Sequence, residues 1–360
     1  MRRDSRGALF RLCLAVVLLA LAVGGPLVAG AAGQTGVTAP DCGAVSYDRA
    51  GSESTPYKVE TVEQLQCMQA ALNASYVLTD DIDASATAAW NDGAGFRPVG
   101  GNESGSGPAF TGTLDGDGHV IANLTIDRPE RNVTGLIGNA TASVSVTNVT
   151  LQNASVTGFH SVGALVGGGN ATVRGARVTG RVNGTFGVGG IAGSINGTIT
   201  DSASAVSIGN GTLAGGLVGL NLGVINRSYA TGHINGTTAV GGLAGANDGV
   251  VTRSIATGRV EGETVVGGLV GLTDGTVNRS AATGNVSGRN AVGGLVGASE
   301  NTVDRTYATG TVSAGINVGG LVGFNLGAVS RSYATGRVNG SLLDGGLVGN
   351  DNDTGTATRS

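Results

Sequence analysis

The stretch VGGLVGLTDGTVNRSAATGNVSGRNA, residues 266–291, is followed without a gap by a second VGGLVG at Val292. The same opening, with small variations, starts at Val162, Val188, Ala214, Val240, Val266, Val292, Val318 and Asp344, always 26 residues apart. A weaker copy, VTGLIG, begins at Val133. Each unit holds short apolar pieces separated by glycine. Pieces of this length suit strands, and the lack of any long glycine-free run with a 3.6-residue period excludes an α-solenoid. A strict period lets equivalent residues stack in register from turn to turn. The fold class that follows is all-β: a parallel β-helix, or β-solenoid, with one turn per repeat and about 4.8 Å of rise per turn. Right-twisted strands favour a right-handed path.

Numbering the unit from its first Val or Ala, three inward ladders are predicted. Position 4 carries Leu165, Ile191, Leu217, Leu243, Leu269, Leu295, Leu321 and Leu347. Position 12 carries Val173, Ile225, Val251, Val277, Val303 and Val329, and position 21 carries Val182, Ile208, Ile234, Val260, Val286, Val312 and Val338. The small Ala at position 17 suits a thin core. Paired glycines at positions 2 and 3 predict a corner that needs either positive φ or close backbone approach. Position 14 is Arg in most units, and it shares strand parity with the Val at 12. A charged ladder cannot face a dry core, so a bend near position 13 is expected to turn the arginines outward. Gly268 is expected to reject Val, whereas the variable Leu272 is expected to accept substitution.

The chain has 360 residues, 67 of them glycine, with 4% aromatic and 13% charged residues and a net charge of −4. There is no Gly-X-Y period, which excludes collagen. The chain is too apolar for a disordered polyanion, and nothing basic enough for a nucleic-acid partner is present. Arg2, Arg3, Arg6 and Arg11 precede the apolar run Leu12–Val23 and the small residues Ala29–Ala32. That order describes a signal peptide over residues 1–31, cleaved after Ala31 or Ala32. No second apolar stretch approaches twenty residues, so no integral membrane segment is expected in the mature chain. The expected location is secreted or extracellular, at the cell surface. Cys13 leaves with the signal peptide. Cys42 and Cys67 then form an even pair in an oxidising compartment, read as a disulfide, with two free thiols as the alternative.

Residues 32–56 read as a linker and N-terminal cap segment, and 57–160 as a capping helix with irregular β-helix turns. The helix is expected over Thr61–Leu72, with Thr61 as N-cap and Gln64 completing a capping box. Residues 161–360 are the regular repeats, and the sequence stops inside a repeat. A stalk fragment of a larger surface protein is therefore one alternative reading.

The segments Gln64-Leu-Gln-Cys-Met, Asp80-Asp-Ile-Asp-Ala, Trp90-Asn-Asp-Gly-Ala-Gly-Phe-Arg-Pro-Val-Gly100 and Phe110-Thr-Gly-Thr-Leu-Asp-Gly-Asp-Gly-His-Val-Ile121, followed by the Gly-Gly-Leu-Val-Gly units, resemble secreted GLUG-repeat proteins. Lys58 is the lone lysine, which suggests a haloarchaeal member. The resemblance covers roughly residues 42–360. It implies a surface-exposed, adhesin-like parallel β-helix, and it carries over no catalytic residue.

The candidate chemistry is sparse. Arg227, Arg253, Arg279, Arg305 and Arg331, with Tyr229, Tyr307 and Tyr333, form a predicted outward stripe for glycans or anionic polymers; the plainer reading is a solvated ladder that discourages aggregation. Asn-X-Ser/Thr sequons make Asn73, Asn102, Asn123, Asn132, Asn139, Asn148, Asn153, Asn170, Asn183, Asn235 and Asn339 candidate glycosylation sites. Stacked neighbours cannot all carry glycans. Asp80, Asp81, Asp83, Asp115 and Asp117 are the acidic concentration. They are weak calcium candidates and the only basis for the enzyme alternative, a polysaccharide lyase or hydrolase. His119, His160 and His233 follow no metal spacing and read as turn or surface residues. No catalytic set, metal site or cofactor is assigned. The expected function is adhesion or structural scaffolding at the cell surface, with cell-surface glycans or envelope proteins as partners.

Overall fold

The computed structural model describes residues 38–102, 104–142, 144–351 and 356–358. The expected signal peptide at 1–31, Cys13 and the final Arg359 and Ser360 lie outside the described residues. Two compact units divide the chain, 1–35 and 36–360, and the second is the one described.

The coil of residues 266–291 and its neighbours show why the period matters. Val266 pairs with Val292, Val270 with Val296, Val277 with Val303, Ala282 with Ala308 and Val286 with Val312, all in parallel. Each partner is one repeat away, so the chain closes a full coil every 26 residues. Stacking the coils builds four parallel sheets. One holds positions 25 to 2, one 5 to 8, one 11 to 13, and one 16 to 22. The sheet of positions 11 to 13 is the longest unbroken path: it starts at Tyr57–Val59 and runs through Ser75–Leu78 and Thr113–Asp115 into the regular coils.

The inward ladders are dry. Leu217, Leu243, Leu269, Leu295 and Leu321 are fully buried, as are Val251, Val277 and Val303 and, on the third column, Ile234, Val260 and Val312. Ala230, Ala256, Ala282 and Ala308 fill the narrow space at position 17. Positions 1 and 5 add two further buried columns, including Val240, Val266 and Val292, and Val270, Val296 and Val322. Burial of one Val, Leu or Ile contributes about 1.5–3 kcal/mol, so each coil carries its own share of core.

The bend at position 14 exists, and it is a left-handed residue. Arg227, Arg253, Arg279, Arg305 and Arg331 have φ of 49, 50, 49, 52 and 49°, and Asp201 and Gly175 stand at the same place with 53 and 67°. A second left-handed column falls at position 26, including Ala239, Val265, Ala291, Asn317 and Leu343. The glycines at positions 2 and 3 take no such conformation. Their role is contact: a Cβ on Gly268 would overlap the carbonyl oxygen of Gly294 and stand 2.9 Å from the Ala282 methyl group.

Leu272 corrects an expectation. It is 3% exposed, not a tolerant surface position. Its column reads Leu220, Ala246, Leu272, Ala298, Phe324, with Leu272 paired to Ala246 on one side and Ala298 on the other. Large and small side chains alternate, so each large one spreads over its small neighbours.

At the N-terminal end, helix α1 (Val62–Cys67) is followed by a 3-10 turn, Met68–Ala70, and the helical run ends short of the expected Leu72. The Thr61 hydroxyl accepts the Gln64 N–H at 3.2 Å, while the Gln64 side chain accepts the N–H of Glu60, one residue before the cap, at 2.7 Å. Val62, Leu65 and Met68 join the core beside Tyr76 and Leu78. Buried Gln66 clamps the chain opposite, accepting Arg97 N–H at 2.8 Å and donating to the Arg97 carbonyl at 3.0 Å. Cys42 and Cys67 are joined in a disulfide with Cα atoms 5.3 Å apart.

Candidate binding stripe

The outward stripe is set by the left-handed turn. Position 13 ends one strand, position 14 swings its side chain to solvent, and position 15 turns inward again. Ser202, Ser228, Ser254, Ser280, Thr306 and Ser332 at position 15 are all at most 2% exposed. Their hydroxyls receive the backbone N–H of the preceding coil: Ser202 N–H donates to Ser228 at 3.3 Å, Ser228 to Ser254 at 3.2 Å and Ser254 to Ser280 at 3.1 Å. Each serine hydroxyl also donates two residues back, as from Ser254 to the Thr252 carbonyl at 2.9 Å, whereas the Thr306 hydroxyl donates to Ser332 at 3.0 Å. This serine ladder fixes the corner and spaces the arginines one coil apart.

All five arginines are exposed, but they are not equivalent. Arg227 makes a paired contact with Asp201 of the preceding coil, Nε–Oδ1 2.7 Å and Nη2–Oδ2 2.8 Å. The Arg227 guanidinium holds the Asp201 carboxyl below the usual range. Arg331 grips Asp304 at 2.8 and 2.7 Å, and Arg305 reaches the same carboxylate at 3.3 Å. Burial works against the charge on Asp304, but the Ser330 hydroxyl and the Arg331 guanidinium outweigh it and hold the carboxyl low. Arg253 and Arg279, in the middle, have no ion pair among the described residues.

The tyrosines at position 16 are also uneven. Tyr307 and Tyr333 stack on each other with centroids 5.4 Å apart and planes 9° apart. Their facing surfaces are thus closed to a sugar ring. Tyr229, 49% exposed, stands apart, separated from Tyr307 by Ile255 and Ala281 in the column. The stripe is therefore two free guanidiniums flanked by a lone tyrosine and a tyrosine stack, not a uniform basic-aromatic band.

The aspartates do not converge: no group of three or more metal-ligating side chains occurs among the described residues. Asp81 accepts Val120 N–H at 2.9 Å and pairs with His119 at 3.2 Å. Those hydrogen bonds hold its carboxyl below the usual range. Asp83 accepts from Ser85 and Asn123, and Asp115 from Asp117 N–H and Asn148. Asp80 accepts Asp81 N–H. Each is committed to a turn or to the next coil, which is a structural use of a short acceptor. His160 stacks on Phe159, and His233 lies 3.5 Å from Glu261.

The sequons fall into three groups. The Asn123 amide nitrogen donates to Asp83 at 3.1 Å, Asn153 to Asn123 at 2.9 Å, Asn148 to Asp115 at 3.3 Å and Asn339 to Ser313 at 3.5 Å. A glycan on any of these nitrogens displaces an inter-coil bond. Asn73, Asn102 and Asn235 are exposed and donate no side-chain hydrogen bond among the described residues. Asn132, Asn139, Asn170 and Asn183 are half-buried.

Two features escape a reading of the sequence by apolar pattern. One is a buried polar column at position 8. Asn221, Asn247, Thr273, Ser299 and Asn325 are fully buried. Asn221 donates to Asn247 at 2.6 Å, Asn247 to Thr273 at 2.9 Å and Asn325 to Asp351 at 2.8 Å. The recurrent Asn was the available signal. The other is an acidic column at position 9, Asp248, Asp274 and Glu300 in consecutive coils. Partial desolvation by the neighbouring coils, and then the Asp274 charge, push Asp248 up to about 6, although its side chain still reaches solvent.

Residues 314–339 match the GLUG motif. Over 143 residues, 38% of this chain, the sequence is 47% identical to halomucin of Haloquadratum walsbyi, and the matched part is 2% of the length of that protein. A Bacteroides ovatus protein described as an immunoglobulin A1 protease has a crystal structure that aligns over 73% of this chain and 78% of its own, with a TM-score of 0.48 and 22% identity.

Proposed function

We propose that this GLUG-motif β-solenoid is a surface scaffold that adheres through many weak contacts repeated along its length. The observation that carries the reading is the register. Outward side chains recur at one coil's spacing on an unbroken parallel stack, so a polymeric partner meets a regularly spaced series of contacts even though their chemistry varies from coil to coil. Repetition of this kind multiplies modest affinities. The similarity to halomucin supports the reading, and the N-terminal sequence pattern supports secretion. The partners proposed are cell-surface glycans or envelope proteins. Glycosylation is proposed first at Asn73, Asn102 and Asn235, whose amide nitrogens donate no hydrogen bond among the described residues.

The test has two arms. Labelling of intact source cells with an impermeant reagent should mark the protein, and purified mature chain should sediment with isolated envelopes. Protein found only inside the cells, or no envelope binding at any concentration tried, overturns the proposal. A screen of acidic and neutral polysaccharides for turnover addresses the enzyme alternative; cleavage abolished in D81A or D115A protein would replace the scaffold reading.

A further inference from the structure

The acidic column at position 9 and the basic column at position 14 flank the same strand. In one coil they are Asp248 and Arg253, on either side of Val250–Thr252; in the next they are Asp274 and Arg279, on either side of Thr276–Asn278. Five residues of extended chain place the two columns about 15 Å apart. Register pairing stacks the two coils directly, Val250 on Thr276 and Thr252 on Asn278. Asp248, Asp274, Arg253 and Arg279 are all exposed, and none has an ion pair among the described residues. The surface between them is made of Val250, Thr252, Thr276 and Asn278. Leu222, 42% exposed, sits directly below Asp248 in its column, and Val250 is 36% exposed.

A face of this kind, negative along one edge and positive along the other, is complementary to itself. We propose that it binds a second copy of this chain, side by side, with the two solenoid axes parallel. The symmetry follows from the charges. A two-fold axis parallel to the solenoid exchanges left and right edges and keeps each coil at its own height. Asp248 then faces Arg253 of the second copy, and Asp274 faces its Arg279. A two-fold axis along the strands would instead set acid against acid, which like-charge repulsion rejects. An isologous pairing of this sort satisfies four otherwise unpaired charges twice over. The adjoining coils set the limits of the patch, because there the arginines are neutralised within the chain by Asp201 and Asp304. The inference extends the scaffold reading by naming a lateral partner, and it rests on that reading only for its use at a surface.

Sedimentation velocity on the purified mature chain in 0.1 M NaCl tests it. Wild type should shift from monomer to dimer with increasing concentration. R253D/R279D should stay monomeric at least tenfold above the wild-type midpoint, and so should D248R/D274R. The backbone accepts both changes, since Asp201 already occupies the left-handed site and Leu222 the acidic-column site. An equimolar mixture of the two reversed variants should recover a dimer, since each supplies what the other lost. Wild type that remains monomeric, reversed variants that dimerise like wild type, or a mixture that fails to associate overturns the proposal. Circular dichroism establishes that each variant is folded, and R253Q/R279Q serves if a reversal does not fold. Envelope sedimentation of D248N/D274N, compared with wild type, separates loss of self-association from loss of adhesion, because it leaves the stripe arginines in place.

Discussion

Replacement of Gly268 by Ala tests what the glycines are for. Gly268 has negative φ, so an alanine there suffers no backbone strain of its own; the sole penalty is contact. Its Cβ would overlap the Gly294 carbonyl oxygen, stand 3.1 Å from the Gly294 carbonyl carbon and 2.9 Å from the Ala282 Cβ. Carbon atoms pack best at about 3.5–4.0 Å, so the coils must part locally by about 0.5–1 Å. Three backbone bonds span that gap: Gly268 N–H to Gly293 at 3.2 Å, Leu269 to Leu295 at 2.8 Å and Val270 to Leu295 at 3.0 Å. Weakening them adds about 1 kcal/mol each at most, on top of about 1–3 kcal/mol for overpacking. The expected loss is about 3–5 kcal/mol, and Val should do worse. Gly346 is the internal control. It holds the same repeat position, yet among the described residues nothing lies within 4 Å of its would-be Cβ. Gly346→Ala should be neutral or stabilise by about 0.4–1 kcal/mol through the unfolded state. Urea unfolding followed by circular dichroism, with hydrogen exchange on the 260–300 region, reads both. Equal midpoints for the two variants would refute contact as the reason for glycine at this position.

Leu272→Asp should destabilise by about 2–4 kcal/mol, because the side chain is buried over Ala246 and Ala298 and a charge there has no partner; a thermal melt suffices. Asn247→Leu should cost about 1–3 kcal/mol, since it removes the buried acceptor of the Asn221 amide and the N–H that the Thr273 hydroxyl accepts, and exchange protection should fall in the coils on either side. Asp304 is held low by its partners, so its contribution is present above a pH of about 4 and is lost as pH falls through its lowered value. Asp304→Asn should flatten that acid limb in a pH series of melting temperatures. Reduction of Cys42–Cys67, which closes a loop with a sequence separation of 25 residues, should remove about 3 kcal/mol from the N-terminal cap, read as faster exchange at 57–78 with little change beyond residue 200.

What a sequence discloses about this chain depends on whether a constraint repeats. Period, strand pieces, inward ladders and even the bend at position 14 follow from the repeat alone, because one coil's constraint is copied into all the others and noise averages out. The glycine excess allows two readings, left-handed φ or close approach, and the structure separates them: beyond Gly187 the left-handed columns hold Asp, Arg, Ala, Val, Asn and Leu, with glycine there only in the first coil at Gly175 and Gly187, while the paired glycines stand where the next coil's carbonyl would meet a Cβ. Leu272 was misread for a related reason. Variation along its column looks like tolerance, yet in a stack each residue's partners are its own equivalents, so a column can vary and still be packed, provided large alternates with small. The stripe was legible as a column and illegible as a site. Asp201 and Asp304 each occur once, outside the consensus, and they decide which arginines are neutralised. In a solenoid the consensus therefore encodes the coil, and departures from it encode the surface: the residues most worth testing for function here are those that break the repeat, Asp201, Asp304 and Tyr229 among them, together with the short acidic run of Asp248 and Asp274.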